Sequence, residues 1–112
     1  MTFGDIGAKV RTLVNDTENP YRFTSAQIWG FIVDAVRRLR VVNPSERYGE
    51  NGLLDDSIPT PASGTEIRFD SRHEEAIVKY AAAKVYELDM TDTENLQIAE
   101  NLRARAEGLM LT

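Results

Sequence analysis

The single histidine of the chain, His73, is followed directly by Glu74, which is how the helix signature of zinc proteases begins. That signature needs a second histidine four residues after the first, and here that position is Ile77. One histidine supplies too few ligands, because structural zinc sites use four protein ligands and catalytic sites use three. We therefore expect His73 to be a surface histidine or one close to a helix cap.

Two acidic stretches could in principle bind a divalent cation. The stretch 16–19 resembles the start of a calcium loop, but Pro20 follows at once and neither the turn glycine nor the distal glutamate is in place. Asp55 and Asp56 are neighbours, and adjacent acids in a loop are more often simply solvated. We expect no metal site and no cofactor.

Covalent catalysis has no support in the sequence. The chain contains no cysteine, no Gly-x-Ser-x-Gly elbow and no Gly-Lys-Ser/Thr phosphate loop. No constellation of a nucleophile with a base can be assembled from one histidine in this context. We expect that the protein is not an enzyme.

A basic cluster is the one local feature that could contact nucleic acid. It consists of Arg37, Arg38 and Arg40, near the end of a predicted helix, where cations complement the helix dipole. Asp34 lies three and four residues before the first two arginines, so local ion pairs are possible. The net charge of −5, from 18 acidic and 13 basic residues, opposes binding to phosphates. Local pairing, contact between subunits and contact with DNA remain alternatives.

The elements that must position these residues are helices. Four segments have apolar residues at helical spacing, and each begins with a polar cap followed three residues later by an acid or amide. The caps and their partners are Thr2 with Asp5, Thr24 with Gln27, Ser71 with Glu74, and Thr91 with Glu94. The predicted helices span residues 2–15, 24–43, 71–89 and 91–110.

The predicted fold is mainly α, a single helical domain over 1–112 with a four-helix core. The second helix is the natural central element, and Gly30 inside it indicates either close packing by a neighbour or a tolerated glycine. The longest apolar run, 28–33, is far shorter than the ~20 residues that cross a bilayer. We expect no membrane association.

Residues 44–70 break the helical pattern with scattered glycines and prolines. Two short runs inside this segment, Leu53–Ile58 and Glu66–Phe69, are candidates for the strands of a hairpin. The sequence thus predicts an irregular loop or a short β-hairpin between the second and third helices. Loops of this length are usually functional or disordered, and we expect a functional one.

Residues spread over most of the chain carry a resemblance to a known family. They are Val10, Arg11, Leu13, Asn15, Asp16 and Thr17; Pro20, Arg22, Phe23 and Thr24; Ile28, Ile32, Asp34, Ala35, Leu39 and Pro44; Glu74, Glu75, Ala76, Ile77, Val78, Tyr80, Ala81, Tyr86, Glu87, Leu88 and Asp89; and Asn95 and Ala99. In this order of loop, cap and long helix, the chain resembles the head-to-tail adaptor family of tailed bacteriophages, also called connector or head-completion proteins.

The resemblance implies a structural virion protein located at the head-to-tail interface and assembled in the host cytoplasm. It implies a homo-oligomeric ring of about twelve copies, joined by the head-to-tail contacts that cyclic symmetry requires. One face would dock on the portal protein and the other would receive a tail or stopper protein. DNA would pass through the lumen without specific binding, and an acidic chain suits such a channel.

Apolar side chains outside the predicted core are candidates for the subunit and partner interface. They are Tyr48, Leu53, Leu54 and Ile58 in the middle of the chain and Leu109, Met110 and Leu111 at its end. Some adaptors carry a longer C-terminal arm that reaches the portal, whereas this sequence stops at Thr112. We expect the last helix to do that work by docking in a groove of a partner.

The alternative is a small DNA-binding packaging or transcription regulator, with Arg37, Arg38 and Arg40 on phosphates. A helix-turn-helix joins its helices by a turn of about 3–4 residues. The predicted connection from Asn15 to Thr24 is longer.

Overall fold

The computed structural model describes residues 1–18, 21–49, 51–88 and 93–112. Its helices are α1 (Phe3–Leu13), α2 (Ser25–Val42), α3 (Glu74–Leu88) and α4 (Thr93–Met110). Two 3-10 turns, Pro44–Arg47 and Ser71–His73, precede and follow the middle part of the chain. The predicted mainly helical fold with four helices is confirmed. The predicted end of the third helix at residue 89 and the predicted start of the fourth at residue 91 lie outside the described residues.

The first two helices begin with the capping boxes that the sequence predicts. The hydroxyl oxygen of Thr2 accepts from the backbone nitrogen of Asp5 at 3.1 Å, and the Asp5 carboxylate accepts from the backbone nitrogen of Thr2 at 3.2 Å. Thr24 and Gln27 make the same reciprocal pair at 3.1 and 2.9 Å. These bonds satisfy N–H groups that have no partner inside the helix. The fourth predicted cap, Thr91, lies outside the described residues.

The third helix begins differently from the prediction. The side chain of Asp70, not Ser71, accepts from the backbone nitrogen of Arg72 at 3.1 Å. Residues 71–73 form a 3-10 turn and α3 starts at Glu74. An ionised carboxylate next to the positive end of a helix is a stronger acceptor than a hydroxyl, so the cap moves one residue toward the N-terminus.

The core lies where α3 packs against the other helices, with its closest packing on α4 and α2. Ala81, Ala82 and Ala83 are all fully buried, and their small side chains let other helices approach α3 closely. α3 therefore holds the central position that the sequence assigned to α2. The larger fully buried side chains are Phe3, Ile6, Val10, Ile28, Ile32, Leu39, Ile77 and Met110.

Close backbone packing occurs at Gly4, not at Gly30. A Cβ atom on Gly4 would lie 2.7 Å from the carbonyl oxygen of Ser63, and the Gly4 nitrogen donates to that same oxygen at 3.0 Å. A Cβ atom on Gly30 would meet nothing within 4 Å. The second of the two predicted explanations for Gly30, a tolerated glycine, therefore holds.

We call residues 44–70 the middle segment; its described residues form an irregular loop that begins with the 3-10 turn Pro44–Arg47. The described residues contain two isolated antiparallel bridges, Tyr48 with Leu54 and Thr2 with Glu66, and no β-strand. The predicted hairpin is wrong in its pairing, because the two runs do not pair with each other. The first run pairs with Tyr48 through Leu54, and the second pairs with Thr2 through Glu66. The backbone around the second run is already bonded to the N-terminus, from the Ile67 nitrogen to the Met1 carbonyl oxygen at 3.0 Å and from the Phe3 nitrogen to the Thr65 carbonyl oxygen at 3.0 Å. Across the described part of the chain, no helix is long and apolar enough to cross a bilayer.

Candidate interaction surface

A buried polar pair anchors the start of the middle segment to α3. The Oε1 atom of Glu46 lies 2.8 Å from Nδ1 of His73, and Oε2 accepts from the backbone nitrogen of Asp70 at 3.0 Å. His73 is fully buried and Glu46 is 5 % exposed. The prediction that His73 lies close to a helix cap is confirmed, but the alternative of a surface histidine is wrong. The Glu46 carboxylate supplies a partner that makes burial of the ring possible.

The other side of the His73 ring faces the ends of α2 and α4. The Nδ2 atom of Asn43 lies 3.5 Å from Nε2 and donates to the carbonyl oxygen of Met110 at 3.2 Å. His73 thus links the start of α3 to the middle segment through Glu46 and to the end of α2 through Asn43, and Asn43 in turn bonds to the end of α4. Sequence reasoning missed this cluster, because Glu46 lies 27 residues before His73 and no local pattern pairs them.

Arg40 is a structural residue of the middle segment. It is 6 % exposed, and its Nη1 donates to the carbonyl oxygens of Asp56 at 2.7 Å and Ser57 at 3.0 Å. Burial lowers the pKa of Arg40, aided by the like charge of Arg68 and opposed by the nearby acids. The prediction of Arg40 as a contact for DNA or a subunit is wrong, since a long side chain that folds inward to bind carbonyls cannot reach a phosphate.

Arg68 and Arg47 connect two stretches of the middle segment, residues 46–48 and residues 55–56. Arg68 donates to the carbonyl oxygens of Glu46, Tyr48 and Asp55 at 3.2, 2.8 and 2.5 Å. Arg47 makes a two-pronged contact with Asp56, Nη2 to Oδ2 at 2.7 Å and Nε to Oδ1 at 3.0 Å. Guanidinium groups suit this work because their donors are planar and fixed in direction.

Asp55 and Asp56 are paired, whereas the sequence predicted simple solvation. The hydrogen bond from Arg47 lowers the pKa of Asp56, and hydrogen bonds from the hydroxyl and the backbone nitrogen of Ser57 lower that of Asp55. Both carboxylates thus help to fix the shape of the loop.

The apolar tip, defined as Tyr48, Leu53 and Leu54, lies on this braced loop. The three side chains are 52, 66 and 58 % exposed. The loop between them is closed by a bond from the nitrogen of Gly49 to the carbonyl oxygen of Leu53 at 2.8 Å. Ile58, predicted with them, is half-buried against the core and does not belong to the tip.

The C-terminal candidates divide in three ways. Met110 is fully buried in the core, so its prediction as an interface residue is wrong. Leu109 is partly buried against the core, and Leu111 is 72 % exposed. Consecutive helical residues point about 100° apart, so three neighbours cannot share one outer face.

The two remaining arginines of the basic cluster differ in their partners. The Nε atom of Arg38 donates to Glu107 of α4 at 2.9 Å, and Asp34 faces Lys84 of α3 at 3.9 Å. Arg37 is exposed and makes no hydrogen bond or ion pair within the part of the chain that the structure describes. The predicted pairing with Asp34 is wrong, because neighbouring helices supply closer partners.

Asp16, at the start of the stretch that resembles a calcium loop but was not expected to bind a metal, is buried and stabilises the α1–α2 connection. It is 3 % exposed, and its two oxygens accept from the backbone nitrogens of Arg22 at 2.8 Å and Phe23 at 3.2 Å. The Nη1 atom of Arg11 donates to it at 2.8 Å. Burial alone would raise the pKa of Asp16, but the two backbone bonds and the arginine charges outweigh it and lower that pKa. Both oxygens are therefore already occupied.

The described polar side chains above form structural networks. Among residues 1–18, 21–49, 51–88 and 93–112, no three histidine or acidic side chains are grouped to hold a metal ion.

We compared the chain with protein families, with curated proteins and with solved structures, and none of the three comparisons gave a match.

Proposed function

We propose that the protein is a structural virion component that forms an oligomeric ring between a phage portal and the tail or stopper. DNA passes through the lumen of this ring without being held. The observation that carries the proposal is the apolar tip, where three large apolar side chains stay in water on a loop that buried contacts hold in place. The resemblance of the sequence to the adaptor family supplies the kind of assembly.

The construction of the middle segment supports a role for its tip. Arg40, Arg68 and Glu46 together bind five backbone carbonyls and one backbone nitrogen of this loop and its exit. Those bonds order a loop that buries few of its own apolar groups. Clustered apolar side chains on an ordered surface loop are typical of a protein interaction site.

The charges favour a protein partner over DNA. Of the three clustered arginines, Arg40 is buried and Arg38 is paired with Glu107, which leaves Arg37 as the one free cation of that cluster among the described residues. Specific DNA binding usually draws on several phosphate contacts. The net charge of −5 adds repulsion along the whole surface.

The test of the proposed function is electron microscopy of the protein mixed with its portal. We expect a ring stacked coaxially on the portal, with an open lumen. A mixture that stays unassociated would contradict the proposal. A low-salt gel shift with tight, salt-sensitive DNA binding would favour the alternative, a packaging or transcription regulator.

A charge at the apolar tip should block assembly while leaving the fold intact. In Leu54→Asp, the new carboxylate replaces a 58 % exposed side chain, so helicity and the melting temperature should stay near the parent values. Ring formation on the portal should be lost, because an interface core does not accept an unpaired charge. Circular dichroism and microscopy measure the two effects.

Ile58→Asp is the matched contrast for this experiment. Ile58 packs against the core, so a carboxylate there should lower stability by about 2 kcal/mol or more. If Leu54→Asp unfolds the protein as much as Ile58→Asp does, Leu54 belongs to the monomer core and the tip is not an interface.

A further inference from the structure

A basic groove lies at the C-terminal end of α2. Its lining comprises Arg37, Arg40, Val41, Pro44, Arg47 and Asp56. Val41 is 70 % exposed, although it is a large apolar residue on a helix. The groove therefore combines an uncovered apolar floor with guanidinium groups at its walls.

Two guanidinium groups of the basic groove have unused donors. Arg37 has no hydrogen bond or ion pair among the described residues. The Nε atom of Arg40 is buried without a partner there, although its Nη1 is fully used. Arg47, in contrast, is already held by Asp56. Because the Arg40 atom is buried, the positive charge that a partner can reach is that of Arg37, one helical turn before Val41.

The chain itself carries a surface with complementary chemistry. We define the α4 outer face as Leu96 and Glu100, which lie one helical turn apart on the same side of α4; Leu96 is 42 % exposed. Glu100 is exposed and makes no hydrogen bond or ion pair within the described residues, a property it shares with Glu18. Of these two glutamates, only Glu100 has a large apolar side chain one helical turn before it on the same helix face, which is Leu96.

The basic groove and the α4 outer face lie at different heights along the common direction of α2 and α4. Arg38 bonds to Glu107, and Asn43 bonds to the Met110 carbonyl, so α4 runs beside α2 in the same direction. Glu100 precedes Glu107 by seven residues, a rise of about 10 Å away from the groove end of α2. A contact between these two distinct surfaces is head-to-tail, the kind that closes into a ring.

We infer that the basic groove of one copy binds the α4 outer face of the next copy, with Arg37 paired to Glu100 and Val41 packed against Leu96. The inference rests on the proposed function, because it names the subunit contact of that ring. The exposed apolar floor at Val41 favours a carboxylate that stands beside apolar side chains over a phosphate backbone, and the Asp56 carboxylate at the wall is already paired with Arg47. A free arginine over a desolvated apolar floor is typical of protein interfaces.

Disulfide trapping tests the contact directly, because the chain has no cysteine of its own. The double variant Val41→Cys with Leu96→Cys, oxidised as the isolated protein at high concentration, should give a ladder of covalent oligomers on a non-reducing gel. The control pair Val41→Cys with Thr17→Cys keeps one exposed partner and moves the other to the α1–α2 loop, beside Glu18. That control should yield about tenfold less cross-linked product. Equal ladders from the two pairs, or none from either, would overturn the inference.

Charge exchange in the same double-cysteine background provides the second readout. Arg37→Glu should reduce the ladder about tenfold, and Glu100→Arg added to it should restore most of the product. Arg105→Glu is the control, since Arg105 is also exposed but lies outside the groove. Loss without restoration by the exchange would overturn the Arg37–Glu100 pair.

The two proposals can fail separately in these experiments. A coaxial ring on the portal without a Val41–Leu96 ladder would contradict the named contact and leave the adaptor function standing. A ladder from the isolated protein without portal binding would support the contact and contradict the adaptor function. Loss of duplex DNA binding in Arg37→Glu, without any change in the ladder, would assign the groove to phosphates and overturn the inference.

Discussion

Replacing Glu46 with alanine should lower the free energy of unfolding by about 3 kcal/mol. The substitution removes the acceptor of a fully buried His73 ring and of the backbone nitrogen of Asp70. The His73 nitrogen would remain in the interior and the Asp70 nitrogen in a partly buried site, and a buried polar group left unsatisfied costs about 1–3 kcal/mol. Urea unfolding followed by circular dichroism measures the loss.

Two variants control for the loss of the Glu46 carboxylate. Glu46→Gln keeps one oxygen that can still accept, so its cost should be about half that of the alanine variant. Glu66→Ala also removes an ion pair, with the N-terminus, but its side chain is 73 % exposed, and such pairs contribute about 0–1 kcal/mol. If Glu46→Ala costs no more than Glu66→Ala, the buried pair does not anchor the middle segment.

The loss of Glu46 should also weaken the apolar tip as an interface. The pair fixes the start of the middle segment to α3, and Arg68 binds the carbonyls of Glu46 and Tyr48. When this anchor is removed, the backbone that carries Leu54 loses its fixed position. We expect limited proteolysis to cut Glu46→Ala within residues 47–57 at protease concentrations that leave the parent chain whole.

Asp16→Asn should also destabilise the protein by about 3 kcal/mol at pH 7. Both carboxylate oxygens of Asp16 accept bonds, from two backbone nitrogens and from Arg11. An asparagine has one acceptor oxygen, so its amide nitrogen would face a donor in a site that is 3 % exposed. Arg11, which also covers the Tyr21 ring at 4.0 Å, would lose its buried counter-charge.

The pH dependence of this effect follows from the lowered pKa of Asp16. A carboxylate whose pKa is lower in the folded state than in the unfolded state contributes its full stabilisation above the unfolded value, about 3.9. That contribution is lost as the pH falls toward the folded value. The difference in unfolding free energy between parent and Asp16→Asn should therefore be largest near neutral pH and shrink below about pH 4.

Asp5→Asn is the matched control for Asp16→Asn. Asp5 also has a lowered pKa, from the backbone and side-chain hydrogen bonds of Thr2, but it is exposed, as the third residue of α1. Asparagine is an acceptable residue at helix starts, so the cost should stay below about 1 kcal/mol. If Asp5→Asn and Asp16→Asn lower the free energy of unfolding equally, the burial of the Asp16 hydrogen bonds does not increase their contribution to stability.

The sequence by itself determined the helices and two of their starts. The apolar spacing gave α2 to within a residue or so at each end, and the pairs Thr2–Asp5 and Thr24–Gln27 form the predicted capping boxes. These features depend on residues three or four apart, whose neighbourhood in a helix is fixed by the helical period. Local pattern is sufficient for this level of structure.

Only the tertiary structure decided which polar residues are buried and which apolar residues remain exposed. Arg40 and His73 are enclosed because partners 16 and 27 residues away in sequence reach them. Met110 turned inward while Leu111 stayed in water. Such outcomes depend on which elements happen to lie on each side of a residue, and no short-range period carries that information. The same reason explains why the three arginines of the basic cluster differ: Arg40 is buried, Arg38 pairs with α4, and Arg37 has no partner among the described residues.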